Sequence, residues 1–225
     1  MSEPRVAGLV CEGHTDVPVL RAVIEELWPE IDDVRCLQPE LDEMHKAKSP
    51  AGWSQVRRWC EDNAGRLDEV LAPDLGDKFD LLVIAMDLDV AIEAGIENPP
   101  KKLGVYESSR LRDKMKTWLT TKRRPTLPTA VVLSTPVMAV EAWIVAAIFP
   151  RGSGPEKIKD PADWLAKKKK LRRSSNGKAW KELHRYRDFA PIVAQRLERV
   201  RRDCAEADRT ARAIETRRAE CGDGP

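Results

Sequence analysis

The residues best suited to chemistry lie in two short acidic segments. Glu12, Gly13, His14, Thr15 and Asp16 run together, and Asp87 and Asp89 flank Leu88 about seventy residues later. Carboxylates are hard oxygen donors and suit Mg²⁺ or Mn²⁺. Bringing two like charges to ~4 Å costs about 1 kcal/mol in water and ~4 kcal/mol at an effective dielectric of 20. A cluster of such acids therefore calls for a cation, raised pKa values or wide spacing in water. Gly13 would permit a tight turn of unusual φ, and the helix start that follows offers free N–H groups. Asp87 and Asp89, two apart on an extended segment, would point the same way. An ordinary strand–turn–helix junction with solvated acids would use the same residues, so neither segment decides the matter alone. Glu141, at the start of an apolar helix, could complete a metal site or simply cap that helix. His14 and His45 are candidates for a proton shuttle or a phosphate contact, although a lone loop histidine is more often neither. His184 is a weaker candidate.

A third feature is basic. Residues 151–225 hold 21 Lys and Arg against 12 Asp and Glu, whereas residues 1–150 hold 18 against 25. Lys167, Lys168, Lys169, Lys170, Arg172 and Arg173 form the densest run, with Trp164, Trp180 and Tyr186 nearby. Cations neutralise phosphates, and exposed aromatics stack on unpaired bases. A solvated surface whose tryptophans pack inward accounts for the same residues.

The rest of the chain bounds the answer. With 225 residues, 42% hydrophobic and 34% charged, it can bury a core. No apolar run approaches the roughly 20 residues needed to cross a bilayer, so no membrane partner is expected. The N-terminal residues lack a basic flank leading into an apolar stretch, so no signal peptide is expected. Five cysteines without a C-x-x-C argue against a disulfide framework or structural zinc, and for a reducing, cytoplasmic setting.

The elements that must position the acids alternate. Residues 5–11 read as a strand, and 17–28 as a helix with Thr15 as a plausible N-cap. Residues 34–37 read as a weaker strand, 41–52 as a loop and 53–71 as a helical stretch. Residues 81–86 (LLVIAM) are apolar on both faces, as at the centre of a covered parallel sheet. A loop at 95–104, a helix at 106–119, a strand at 129–133 and a helix at 137–149 follow. This alternation predicts an α/β fold with a parallel sheet between helices. The composition shifts after Pro150, which suggests one domain over 1–150 and a basic helical extension over 151–225, packed on that domain or appended to it. The extension reads as a short helix at 162–170, a basic loop at 171–177 and one long helix over 189–219. That helix should fray beyond Arg201, and 222–225 should be disordered.

Taken together, E-G-x-T-D after the first strand and D-x-D after the strongest one resemble the Toprim domain. This is the Rossmann-like, metal-dependent module of topoisomerases, primases and several nucleases. The match covers roughly residues 5–150. Ser134, Thr135 and Pro136 followed by Glu141, Ala142 and Trp143 are similar to the E-x-W element of small stand-alone bacterial Toprim-like proteins. Those often accompany ATPases in phage-defence systems. The resemblance implies that Glu12, Asp87 and Asp89 are catalytic, and that Glu12, Asp16, Asp87, Asp89 and Glu141 hold Mg²⁺ or Mn²⁺. It departs from the family pattern after D-x-D, where Val90, Ala91 and Ile92 stand and the first glycine is Gly95.

The activity implied is metal-dependent hydrolysis of phosphodiester bonds in nucleic acid, with a separately encoded ATPase as a further partner and self-association left open. Topoisomerisation is disfavoured, because Tyr106 and Tyr186 are the only tyrosines and the chain has no room for a strand-passage domain. Two rivals remain. One is a non-catalytic Toprim-like module that binds nucleic acid or an ATPase. The other is a haloacid-dehalogenase-type phosphatase, against which Ala91 at the last motif position and the late strand both count. The chain has no phosphate-loop motif, so any ATP-driven step would come from another protein.

Overall fold

The computed structural model describes residues 4–40, 51–74, 76–90, 95, 105–149 and 154–222. Four parallel strands form the main sheet: β1 (Arg5–Val10), β2 (Ile31–Gln38), β3 (Phe79–Ala85) and β4 (Val131–Ser134), in the order β2-β1-β3-β4. Parallel neighbours need crossovers, and these are supplied by α1 (Asp16–Leu27), by α2 (Trp53–Asp62) with α3 (Leu67–Leu71), and by α4 (Val105–Leu119). The predicted α/β architecture, a parallel sheet flanked by helices, is thus observed.

Alternation along β3 divides the core. Leu81, Val83 and Ala85 join the apolar cluster containing α1, whereas Leu82, Ile84 and Met86 join the one containing α2, α3 and α4. Both sets are buried, which is why the segment reads as an unbroken apolar run. Gly8 on β1 belongs to the second face. A Cβ there would lie 3.0 Å from Leu82 Cδ1 and 3.2 Å from Leu37 Cδ1, so the side chains packed over this position leave little room for one.

Residues beyond 150 build the first face as well. Helix α5 (Glu141–Ile148) is apolar all round and buried. Around it lie α6 (Pro161–Lys167), α7 (Leu183–Gln195), α8 (Leu197–Asp203) and α9 (Ala205–Glu220). Leu165, Tyr186, Val193, Val200, Ala211 and Ile214 share one cluster with the α1 residues.

Several local expectations change. The helical stretch over 53–71 is two helices, because Gly65 takes a left-handed φ of 72° and its N–H bonds the Leu119 carbonyl. The single helix expected over 189–219 is three, beginning earlier at Leu183 and broken at Arg196 and at Cys204, whose backbone is extended. No glycine or proline marks either break, and the apolar spacing runs straight through both. A straight rod could not lie on α1, α5 and β4 in turn. The last segment does not fray beyond Arg201: Ala207, Thr210, Ala211 and Ile214 of α9 are buried. The basic loop expected over 171–177 is instead part of a hairpin of β5 (Arg172–Arg173) and β6 (Ala179–Trp180). Ser175, Asn176 and Gly177 form its turn, closed by the Gly177 N–H on the Ser174 carbonyl at 2.9 Å with Gly177 at φ 79°, and the glycine after Asn176 was a readable hairpin signal. Residues 41–50, most of the loop expected over 95–104, and residues 223–225 lie outside the described residues.

Helix α9 is anchored by a charge. Glu206, in its first turn, is fully buried. Its Oε2 accepts hydrogen bonds from Arg112 Nη1 at 2.5 Å, Arg209 Nε at 2.8 Å and Thr135 Oγ1 at 3.0 Å. Removing one member of a buried ionic group leaves the others desolvated and unpaired. Glu206→Ala should therefore cost about 3–5 kcal/mol of stability in chemical denaturation. A loss below about 1 kcal/mol would mean that the cluster behaves like an exposed pair.

Candidate active site

The chain leaves β1 at Cys11, whose N–H bonds the Gln38 carbonyl at 2.8 Å, and turns through Glu12 to Thr15 into α1. Asp16, the first residue of that helix, is buried and reaches back, so that its Oδ2 accepts the Gly13 N–H at 2.9 Å. This bond closes the turn. Thr15 occupies the N-cap position but makes no side-chain cap bond. Gly13 is not in the left-handed region. Its value lies in close approach, since a Cβ would sit 3.3 Å from the Asp16 carboxylate.

Strand β3 delivers the second segment. The Met86 N–H continues the ladder to Ser134, and the next N–H, that of Asp87, donates to Glu12 Oε1 at 2.8 Å. Glu12 thus takes the place in the ladder where a backbone carbonyl would have continued it. The chain then enters a 3₁₀ turn over Leu88–Val90. Asp87 and Asp89 are therefore not two positions of one extended strand as expected: Asp87 is half-buried and Asp89 is exposed.

Glu141 opens α5 and is completely buried. Its Oε1 accepts from Lys181 Nζ at 2.7 Å and from the Tyr186 hydroxyl at 2.5 Å, while its Oε2 has no partner. Burial works to raise its pKa, but the Lys181 charge and these hydrogen bonds outweigh burial and hold it below the usual carboxylate value. Glu141 is thus an anion in the protein interior, beyond a cap on its own helix.

The five predicted acids share one electrostatic neighbourhood. Burial, with the charges of Asp16 and Asp89, pushes Glu12 up to about 8, against the opposing pull of the Asp87 N–H and Lys181. Burial and Glu141 push Asp16 up to about 7. Burial, Glu12, Asp16 and Glu141 raise Asp87 well above the usual value. Lys181 is pulled the other way: burial disfavours its charge, and Glu141, Asp16 and Asp87 override that and raise its pKa. Five carboxylates thus face one ammonium group, whose side chain is still 45% exposed.

An implied Mg²⁺ or Mn²⁺ can be tested against these residues. The donors are all oxygens, the acids outnumber the one resident cation and hold protons that a divalent ion would displace, and a buried Glu141 oxygen is unpaired. In chemistry and charge the set fits a hard cation. In position it is not a finished shell: among the described residues, no three acidic, histidine or cysteine side chains are arranged to hold one ion.

Lys181 and Tyr186 are the site residues that sequence reasoning missed: Tyr186 groups with the aromatics of the basic segment, and Lys181 is one of the many cations after residue 150. No local signal sets Lys181 apart from the other cations around it. His14 is half-buried, and burial lowers its pKa. His45 lies outside the described residues.

The basic run is not one uniform patch. Lys167 Nζ and Arg173 Nη2 both pair with Asp163, at 2.8 and 2.7 Å. Lys168 Nζ lies 5.5 Å from the centre of the Trp164 ring. Lys169 is exposed with a φ of 59°, and the Lys170 carbonyl accepts from Arg185. Arg172 is 74% exposed and sits 3.7 Å from Glu182. Compared with known protein families, with curated proteins and with solved structures, the chain matches none.

The raised carboxylates predict how stability follows pH. Glu12 and Asp16 hold their protons in the folded state through a range where the unfolded chain has lost them. Folding therefore takes up protons between about pH 4 and pH 8, and stability must fall as pH rises through that window. Thermal unfolding in a chelator should show Tm dropping from pH 5 to pH 8, and Glu12→Gln should flatten the slope. Mg²⁺ should raise Tm more at pH 8 than at pH 5. Equal slopes for wild type and Glu12→Gln would contradict the assignment.

Proposed function

We propose that the chain is a metal-dependent nuclease of Toprim type that hydrolyses phosphodiester bonds in nucleic acid. The observation that carries this reading is the meeting of Glu12, Asp16, Asp87, Asp89 and Glu141 at the carboxyl edge of a parallel sheet, crowded enough to raise the pKa values of three of them. Ligands of open α/β sheets bind at that edge. A bound Mg²⁺ or Mn²⁺ would activate water and stabilise charge on the leaving oxygen.

The protein's own groups divide the remaining work. Asp87 and Asp89 present oxygens from the turn after β3, and Glu12 is fixed beside them by the Asp87 N–H. Glu12, with a pKa near neutrality, is suited to move a proton. Asp16 holds the β1 turn closed. Lys181, anchored by Glu141 but open to solvent, is placed to neutralise a phosphate oxygen. Tyr186 keeps Glu141 in position rather than acting as a nucleophile, since burial and the adjacent carboxylate raise its pKa beyond the usual tyrosine range.

A second reading draws on the open arrangement of the acids: a Toprim-like module that binds nucleic acid or a partner ATPase without cutting. Cleavage of a mixed DNA and RNA panel with Mg²⁺ or Mn²⁺ separates the two. The nuclease should cut at least one substrate, and Asp87→Ala should slow cutting by about a hundredfold or more with the fold intact. Retention of nucleic acid without cleavage under either metal would leave the binding module. Lys181→Met tests the charge argument separately. Removing the resident cation should tighten Mn²⁺ binding about fivefold or more while slowing cleavage. Unchanged Mn²⁺ affinity by calorimetry would place Lys181 outside the site.

A further inference from the structure

The β5–β6 hairpin has two unlike faces. Arg173 is directly opposite Ala179 in the ladder, and Arg172 is opposite Trp180. Directly opposed residues share a face and successive ones alternate. The Arg173–Ala179 face turns inward: Arg173 pairs with Asp163, and Ala179 packs against the core. The Arg172–Trp180 face turns outward, with the Arg172 side chain 74% exposed and Trp180 52% exposed. Among the described residues Trp180 is the large hydrophobic side chain left in solvent. It has no exposed large apolar neighbour, so it is not part of a patch of the kind that docks proteins. Cations flank it instead, with exposed Lys178 two residues before it and Lys181 immediately after, while the largely buried Glu182 lies 3.7 Å from Arg172.

The chain direction links this face to the acids. Trp180 points outward, and the next side chain, Lys181, reaches Glu141. We infer that Arg172 and Trp180 form a stacking platform for an unpaired base, so that the substrate is single-stranded nucleic acid whose adjoining phosphate passes Lys181 on its way to the acids. This rests on the nuclease reading of the neighbouring site for its purpose, but not for the contact itself. A duplex keeps its bases stacked on one another and offers the indole only its backbone. An unpaired base offers a π-face to the indole and the guanidinium.

The test is binding in a chelator, where no cutting can occur. Three labelled probes are used: an oligothymidine strand of about 16 nucleotides, a blunt duplex of equal length, and a strand of the same length made of abasic sites. Wild type should prefer the thymidine strand. Trp180→Ala should weaken that binding about tenfold while changing the duplex and the abasic strand less than about twofold, and Trp180→Phe should restore most of the loss. Arg172→Ala should weaken all three probes, and the thymidine strand most. Equal losses on every probe, or no loss for Trp180→Ala, would overturn the platform. If wild type holds the thymidine strand through Trp180 but leaves it whole with Mg²⁺ and Mn²⁺, the platform stands and the nuclease reading fails.

Discussion

The ion pair between Glu141 and Lys181 is the interaction on which the site depends. A carboxylate at zero exposure would ordinarily be protonated or excluded, because moving an isolated charge out of water is costly. Glu141 is held as an anion because an ammonium group reaches it from the residue just after β6 and a tyrosine hydroxyl comes from α7. One consequence is architectural. The residues after Pro150 cannot be a loosely appended tail, since Lys181 and Tyr186 from that part of the chain neutralise and fix an acid from the first part.

A second consequence is electrostatic. Lys181 is one positive charge among five acids, and it compensates Glu141 first. Glu12, Asp16 and Asp87 are left with raised pKa values. The Glu206 cluster is an instructive contrast within the same molecule. There Glu206, whose N–H bonds the Glu156 carboxylate, meets two guanidinium groups and a hydroxyl, so acids and cations match in number and the cluster anchors α9. Both clusters are buried and ionic. What separates an anchor from a candidate site is how many acids must share each cation.

The sheet explains why the acids meet at all. Parallel pairing of β1 with β3 sets Val10 beside Ile84, so both strands run out at the same edge. Glu12 and Asp87, seventy-five positions apart in sequence, are then close enough for a side-chain oxygen of one to accept the backbone N–H of the other. The geometry follows from the parallel register of the two central strands.

Much of this was legible in the residues. The run of apolar residues in β3 can be satisfied only between two covered faces, and the acids at the ends of β1 and β3 must then face one edge. Those are local facts of side-chain type and period. Other features were not written locally. The breaks at Arg196 and Cys204 interrupt an apolar spacing that carries no stop signal, because they are imposed by the surfaces the helices must cover. The D-x-D acids do not share one extended strand because the chain turns at Leu88, which D-x-D alone does not announce. Nor could sequence single out Lys181 among so many cations. Charge compensation inside a protein is a long-range property, decided by which group the fold brings beside a buried anion. Sequence determined the acids and the strands that carry them, and only the tertiary structure decided which cation they keep.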